Sequence, residues 1–501
     1  MNDNNPLTIG ATVSNHLKQL YNEEARTHYR YSDADSLLDN LEDVLKMVKH
    51  HITYQVPRLK ILQYYYDGKN VGILTRKPRS NPEKADHRDP SGYAKYIIDY
   101  NAGRIAGEGV NIEHEDDDIN QSLKMFNREN DVDTFNMDIA TSISIYGRAY
   151  EIQYRRKDDI DVVRELSVFN TFMVYDTTIE HDEVASVYYI QQGDNYDIQI
   201  HTEDEVVIVK TSTKEQDVLY ISERTAHDYG EVNVIEYVGS NNREGDAEPA
   251  IPTIDTYDYA IADLANYMTD INQSKLIISG AVDPSILEAD EKDVARDNRD
   301  SDILIIPAPI DKDGKPTGTA NVQRITREYD AVGTREYLQR LDNDIHKFSA
   351  VPNFDDTFFA STSSGVAILY KLLQSDIRLK KKKRYFEKGL RKRYRLLANM
   401  KKSQEELKNY DQRGLKITIQ NNLPISFRDE IETYINAGGQ LSQKTLLEQM
   451  SFVSNVEEEI RRLAEEQANR RDELNLTPDW LKLEEKTKEL LDELDKEESD
   501  I

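Results

Sequence analysis

Apolar positions follow two different periods along the chain, and the change from one to the other divides it. From Asp255 to Ser279 the residues Tyr257, Ile261, Leu264, Met268 and Ile271 recur at steps of four, three, four and three, the spacing of one helical stripe. The opposite stripe, Tyr259, Asp263, Asn266, Asp270 and Gln273, is polar. One face is built to pack and the other to meet water or a polar partner. Helical spacing returns in Leu338, Leu341, Ile345 and Phe348, and Pro352 ends it, because proline lacks the amide and restricts the residue before it. The two helices are expected to run side by side. After the loop VPNFDDTFFAST a third helix runs from Ser364 to about Met400, with Leu369, Leu373, Phe386, Leu390, Tyr394 and Leu397 on its apolar face. At 1.5 Å per residue it could exceed roughly 50 Å.

From Tyr146 to Val238 the period shortens. The runs YEIQYR, LSVFN, TFMVYD, SVYYIQ, YDIQIH, EVVIVKT, DVLYIS and NVIEYV read as closely spaced strands, which implies antiparallel pairing because parallel crossovers need a dozen or more residues. Ahead of them, Leu38, Leu41, Leu45 and Val48 form a helical stripe, ILQYYY precedes the turn at Asp67-Gly68, and a helix is expected from about Ser91 to Ala106 with Tyr93, Ile97 and Ile98 inward. The polar segment Gly239 to Pro252 reads as a linker at a domain boundary. Between the first two long helices lie an acidic stretch, the strand candidates ILIIP and NVQRI, and the turn IDKDGKPTG between them, which is expected to close a β-hairpin. Toward the C-terminus KITIQ reads as a strand and Ser442 to Leu474 as helices, with Ser454 and Glu457 as a capping box. The class is α+β, with two to four sub-domains expected from the length.

Composition narrows the chemistry. With no cysteine, neither a disulfide framework nor a thiolate metal site is available. The longest apolar runs, such as Ile303 to Ile310, are too short to span a bilayer, so no membrane partner is expected. Ninety-three acidic against sixty-four basic residues give a net charge of -29, the wrong sign for a protein that grips nucleic acid through its phosphates. Against that background Arg378 to Lys402 stands out, with thirteen Lys or Arg and one acid, Glu387. Lys380, Lys381, Lys382, Lys383 and Arg384 are therefore candidates for DNA or an acidic partner; a solvated face paired with acids of the strand region is about as good a reading.

No nucleotide-binding, metalloprotease or nucleophile-elbow motif is present. EHEDDD at Glu113 to Asp118 is dense in carboxylates, but consecutive residues point in different directions, so it reads as a solvated turn before a helix. DKDG imitates the start of a calcium loop, yet the acid that should close the loop is missing. No catalytic residue, metal or cofactor is expected.

The run IHKFSAVPNFDDTFFASTSSGVAILYKLLQSDIRLKKKKRYFEKGLRKRY resembles the helix, tunnel loop and long helix of portal proteins from long-tailed bacteriophages of Gram-positive hosts, and YGRAYEIQY and ITIQNNLPISFRDEIETY extend the resemblance. It implies a portal fold: residues 1–252 the N-terminal part of the wing, 253–283 a stem helix, 284–329 a small β clip, 330–351 the second stem helix, 352–362 the tunnel loop, 363–425 the long helix with a return to the wing, and 426–501 a helical crown and C-terminal tail. It also implies a homo-oligomeric ring, twelve-fold in the capsid, at one vertex of the virion and assembled in the host cytoplasm. Double-stranded DNA would pass through that ring during packaging and ejection. Implied partners are the large terminase subunit, head-completion or adaptor proteins, and the major capsid and scaffolding proteins. On this reading Asp263, Asn266, Asp270 and Gln273 form the polar stem face, and Asp290, Glu291, Asp293, Asp297 and Asp300 of the clip meet the motor. The narrowest point falls at the loop Val351, Pro352, Asn353, Phe354, Asp355, Asp356, Thr357, Phe358 and Phe359. Two other functions compete: a metal-dependent nucleic-acid-processing enzyme, whose carboxylates would converge from separate elements, and a capsid scaffold without a channel.

Overall fold

The computed structural model describes residues 14–80, 84–211, 218–272, 276–279, 303–306, 312, 321–324, 330–354, 365–402, 407–419, 434–436, 441–448, 450, 453 and 456–475. The chain divides into two compact units, Met1–Ile419 and Gln420–Ile501.

In the first unit the helices are α1 (Asn15–Leu20), α2 (Ala34–Asp39), α3 (Leu41–His50), α4 (Val56–Tyr66), α5 (Val71–Leu74), α6 (Tyr93–Ala106), α7 (Asp117–Glu129), α8 (Val132–Tyr146), α9 (Ile251–Asn272), α10 (Ala331–Ser349) and α11 (Gly365–Lys402). The strands are β1 (Tyr29–Arg30), β2 (Val110–His114), β3 (Arg148–Arg155), β4 (Asp161–Leu166), β5 (Thr171–Tyr175), β6 (Glu183–Gln192), β7 (Asn195–His201), β8 (Glu205–Thr211), β9 (Leu219–Ala226), β10 (Val234–Val238), β11 (Leu276–Ser279), β12 (Ile303–Ile306), β13 (Asn321–Arg324) and β14 (Leu415–Ile419). The second unit contains α12 (Gln443–Glu448) and α13 (Val456–Asn475). Ser454, the expected cap of this last helix, lies outside the described residues.

Alternation builds the largest sheet, ordered β1-β5-β6-β7-β8-β9. In β7, Tyr196, Ile198 and Ile200 turn inward, and α2 and α3 cover them with Leu37, Leu38, Val44, Leu45 and Val48. Pairing is antiparallel throughout except at β1, which runs parallel to β5. A second sheet, β10-β3-β4, is packed by α8 on one side and carries α11. β14 pairs antiparallel with β2, bringing the chain after α11 back beside the strand that precedes α7. Helix ends follow local chemistry: Asp116 accepts from the Asp118 and Ile119 amides at 3.0 and 3.2 Å to start α7. Gly147, at φ 79°, ends α8 in the left-handed conformation that glycine adopts without strain. EHEDDD is thus divided between the end of β2 and this cap.

Four expectations change. The helix read from Asp255 to Ser279 stops at Asn272, and Leu276–Ser279 is a strand; the unbroken apolar run LII, with two β-branched isoleucines, suits a strand better than one stripe of a helix. That strand is central: β12 lies parallel on one side of it and β13 antiparallel on the other, so ILII and NVQR do not pair as a hairpin. Of LSVFN only Leu166 is in a strand; the strand is DVVREL before it, and Ser167 to Asn170 form a tight turn closed by the Asn170 amide on the Ser167 carbonyl at 3.1 Å. Finally, the segment read as a linker lies in the interior: Arg243, Asp246, Ala247 and Glu248 are buried. Arg243, Asp246 and Glu248 hold ion pairs instead of meeting water, and Asn241 and Asn242 are exposed.

Candidate functional site

The helix pair, the loop base and the long helix meet around α6 and the 240–250 segment. α9 and α10 pack together, and Tyr257, Leu264, Thr334, Leu338 and Asp342 line a cleft of about 360 Å³ between them. The polar face of α9 is already engaged within the subunit. Arg76 donates to Asp263 at 2.6 Å, the His87 amide to Asn266 at 2.9 Å, and Arg79 to Asp270 at 2.8 Å. Tyr259 donates to the Gly72 carbonyl at 2.8 Å. Arg76, Arg79 and His87 therefore lie along this face, and the two arginines offset its carboxylates; Gln273 is outside the described residues. Nearer the start of α9, Asp255 accepts from Tyr65 and pairs with His16 at 2.7 Å, all three buried.

α10 begins at Asp330, which accepts from the Gly333 amide at 2.8 Å. Leu341 and Ile345 face inward as expected, whereas Phe348 is half exposed, because the close turn of α11 reaches Ser349 instead: Arg378 donates to the Ser349 carbonyl at 2.7 Å. Asp342 accepts from Tyr93 of α6 at 2.6 Å and from Asn353 at 2.9 Å. Val351 is buried, with its carbonyl 3.1 Å from His346 Nδ1, and Tyr96 donates to the Pro352 carbonyl at 3.4 Å. The Phe354 ring centre is 5.8 Å from that of Tyr100, and the side chain is half exposed. The base of the loop, Val351 to Phe354, is thus fastened to α6 and α10. Asp355, Asp356, Thr357, Phe358 and Phe359 lie outside the described residues, as do Asp290, Glu291, Asp293, Asp297 and Asp300.

The basic stretch of α11 corrects the idea of a uniform cationic surface. Lys382 and Lys383 are buried and cannot present themselves to DNA from this subunit. Lys382 pairs with Asp246 at 2.5 Å and donates to Ser144 at 3.2 Å. Burial pulls its pKa down and Asp246 pulls it back up, and the net direction is down. Further along, Arg393 and Glu151 are both fully buried, 2.6 Å apart, and Tyr237 donates to the same carboxylate at 2.8 Å. Lys392 pairs with Glu183 and Arg395 with Glu231. Glu151, Glu183 and Glu231 do come from the strand region and Asp246 from the segment after it, but Lys382, Lys392 and Arg393 meet their acids on the core-facing side, whereas the Arg395–Glu231 pair is partly solvated. Lys380, Lys381 and Arg384, by contrast, are exposed.

The sequence reading missed the residues that fix this arrangement. Arg58 grips Glu248 with contacts of 2.9 and 2.5 Å, and Arg26 reaches the same carboxylate at 2.9 Å. Burial raises the Glu248 pKa, but Arg58 and Arg26 outweigh it and hold the carboxyl below its usual range. Glu236 is gripped likewise by Arg243 at 2.5 Å and accepts from Tyr175. A signal for two of these was present: Glu151 and Glu236 stand alone as charges inside apolar strand runs, where only a buried partner stabilises them.

Among the described residues no cluster of three or more His, Asp or Glu could hold a metal ion, and no helix is long and apolar enough to cross a membrane. Residues 45–473 match the family described as phage portal protein, SPP1 Gp6-like. The chain belongs to that family. It is accordingly a structural component of a phage particle, and its architecture is α+β. Comparison with individual curated proteins finds no match. Among solved structures, a chain in the "Neck of empty GTA particle computed with C6 symmetry" is similar over 77% of this chain and 92% of its own, at 10% identity and a TM-score of 0.39. That likeness is too distant to carry an argument.

Proposed function

We infer that copies of this portal-family chain close into a ring, twelve-fold in the capsid, at one vertex, and that double-stranded DNA enters and leaves along its axis. The family match across residues 45–473 is the observation that carries this reading. The subunit supports it in three ways. α9 and α10 form a paired stem, braced along its length by Arg76, Arg79 and Tyr93, with the small β11–β13 sheet inserted between them in sequence. That sheet is the proposed clip, where the large terminase subunit docks during packaging and head-completion or adaptor proteins dock afterwards, the acidic residues 290–300 being the proposed contacts. The loop after α10 leaves from an anchored base, which suits the narrowest point of a conduit. Asp355 and Asp356 repel phosphates there while Phe358 and Phe359 give bulk without a cationic grip. The other sheets of the first unit form the wing and the second unit the crown, with capsid and scaffolding proteins as neighbours.

No chemical step is assigned to the chain; work on DNA comes from the docked motor. End-on negative-stain images of the purified protein test the ring. Closed rings with a central hole are expected, and a strictly monomeric or dimeric species by light scattering at high concentration would sink the proposal. ATPase and nuclease activity should be absent from the protein peak.

A further inference from the structure

α11 has a second face that the ion pairs above do not use. Taking 100° per residue, Leu373, Ile377, Lys380, Lys381, Arg384 and Lys388 fall in one sector about 100° wide, and Lys382, Phe386, Leu390 and Arg393 fall on the opposite side. All six of the first group are exposed, Leu373 and Ile377 by 52% and 63%. Lys380, Lys381, Arg384 and Lys388 make no ion pair or hydrogen bond with the described residues of their own subunit. The stripe extends about 22 Å, apolar at its start and cationic over the next three turns. The half-exposed Phe348 widens the apolar end, since Arg378 holds the last turn of α10 beside the turn that carries Ile377.

We propose that this stripe is a seam between subunits, occupied by an acidic face of a second copy of the chain. Three arguments select that occupant. Two large aliphatic side chains beside phenylalanine gain nothing from a phosphate backbone but are stabilised by burial against protein. The chain carries -29, so the surface of another copy supplies carboxylates in excess. A cationic stripe cannot face itself across a two-fold axis without like-charge repulsion, so the contact joins two different faces of the subunit. Such a heterologous contact generates a ring or a filament and not an isologous dimer. The inference rests on the ring reading and assigns one side of its interface.

The test uses the full chain. Mixed isotopically light and heavy subunits are assembled and treated with a carbodiimide, which joins Lys to Asp or Glu directly; light-to-heavy peptides through Lys380, Lys381 or Lys388 are expected. In parallel, the charge-reversed variant Lys381→Glu/Arg384→Glu and the variant Leu373→Asp are compared with wild type by sedimentation. Each should need at least tenfold higher protein concentration to form rings, while circular dichroism and the melting temperature of the subunit stay near wild type because all three sites are exposed. The Lys381→Arg variant should assemble normally. Wild-type rings accompanied by equally stable variant rings overturn the seam and leave the ring standing. Intact variant rings that have lost affinity for linear duplex overturn it in favour of a phosphate contact. A wild-type chain that stays monomeric overturns the ring and the seam together.

Discussion

Replacing Arg393 by Met tests whether the buried ion pairs hold α11 on its sheet. The guanidinium meets Glu151 through Nε at 2.9 and 3.0 Å and through Nη2 at 2.6 Å, and donates to Asn136 at 2.7 Å. It also lies 5.3 and 5.8 Å from the ring centres of Phe135 and Tyr237. Methionine keeps much of the volume but none of the donors. Both partners are 0% exposed, so water cannot replace the lost contacts, and Glu151 keeps only the Tyr237 hydroxyl. Removing one member of such a pair costs about 3–5 kcal/mol, because the other charge stays buried without compensation. Removing the charge as well should return part of this. In Glu151→Gln/Arg393→Met the neutral amide still accepts from Tyr237, and the loss should be smaller than in Arg393→Met, with a coupling between the two sites of about 0.5–3 kcal/mol. Urea unfolding under non-assembling conditions gives the totals; amide exchange in the peptides 148–155 and 386–397 locates the loss. A shift below about 1 kcal/mol for Arg393→Met, or a double variant no more stable than the single, would refute the reasoning.

Three further outcomes are expected. A Cβ at Gly389 would overlap the Tyr237 ring, so Gly389→Ala should lose about 1–3 kcal/mol by urea titration although alanine is the better helix former. Burial raises the Glu236 pKa but Arg243 more than reverses this, to about 2 against an ordinary 4.5. A depressed folded-state pKa stabilises above the unfolded value and is lost as pH falls through the folded one, so melting temperature should drop between about pH 4.5 and pH 2. Arg243→Met should start less stable at neutral pH and show a shallower drop over that interval; parallel curves would count against the pair. Asp355→Lys/Asp356→Lys should leave rings intact by imaging but reduce the length of DNA packaged, since it adds phosphate attraction at the proposed constriction; unchanged packaging would remove the loop from the mechanism.

Much of the fold was legible where one face of an element is buried and the other wet. The alternation of YDIQIH and EVVIVKT placed β7 and β8, and Leu38, Leu45 and Val48 marked the inner face of α2 and α3. Pro352 placed the end of α10 to within a turn, through its fixed ring and missing donor. The failures have two causes. Leu276, Ile277 and Ile278 form a short continuous apolar run, and Ile271 and Ile278 also fit a helical stripe, so periodicity alone could not tell a strand from the end of α9. In Gly239 to Pro252, polar composition predicts exposure only if the charges lack partners, and Arg58, Lys382 and Arg378 come from positions far away in the chain. Long-range pairing of that kind leaves no local trace, and the same limit applies to the division of α11 into a paired and an unpaired face.

If the ring proposed above conducts DNA, that division bears on how an acidic subunit would serve a passing polyanion. Of the cations from Arg378 to Lys402, those on the inner face are consumed by Asp246, Glu183 and Glu151, which places neutralised pairs and not free positive charge in the body of the subunit. On α9, Asp263 and Asp270 are matched in the same way by Arg76 and Arg79. A surface built of matched pairs exerts a weak field beyond a Debye length of about 8 Å at physiological salt, so it neither captures nor strongly repels phosphates. The unmatched cations of the outer face are the exception, and four of them along one helix in a DNA conduit would release counterions and slow the polymer. Covering them with a neighbour's carboxylates removes that brake and joins subunits with the same contact. Assembly and smooth passage of DNA would then depend on one stripe, and variants that expose it should affect both.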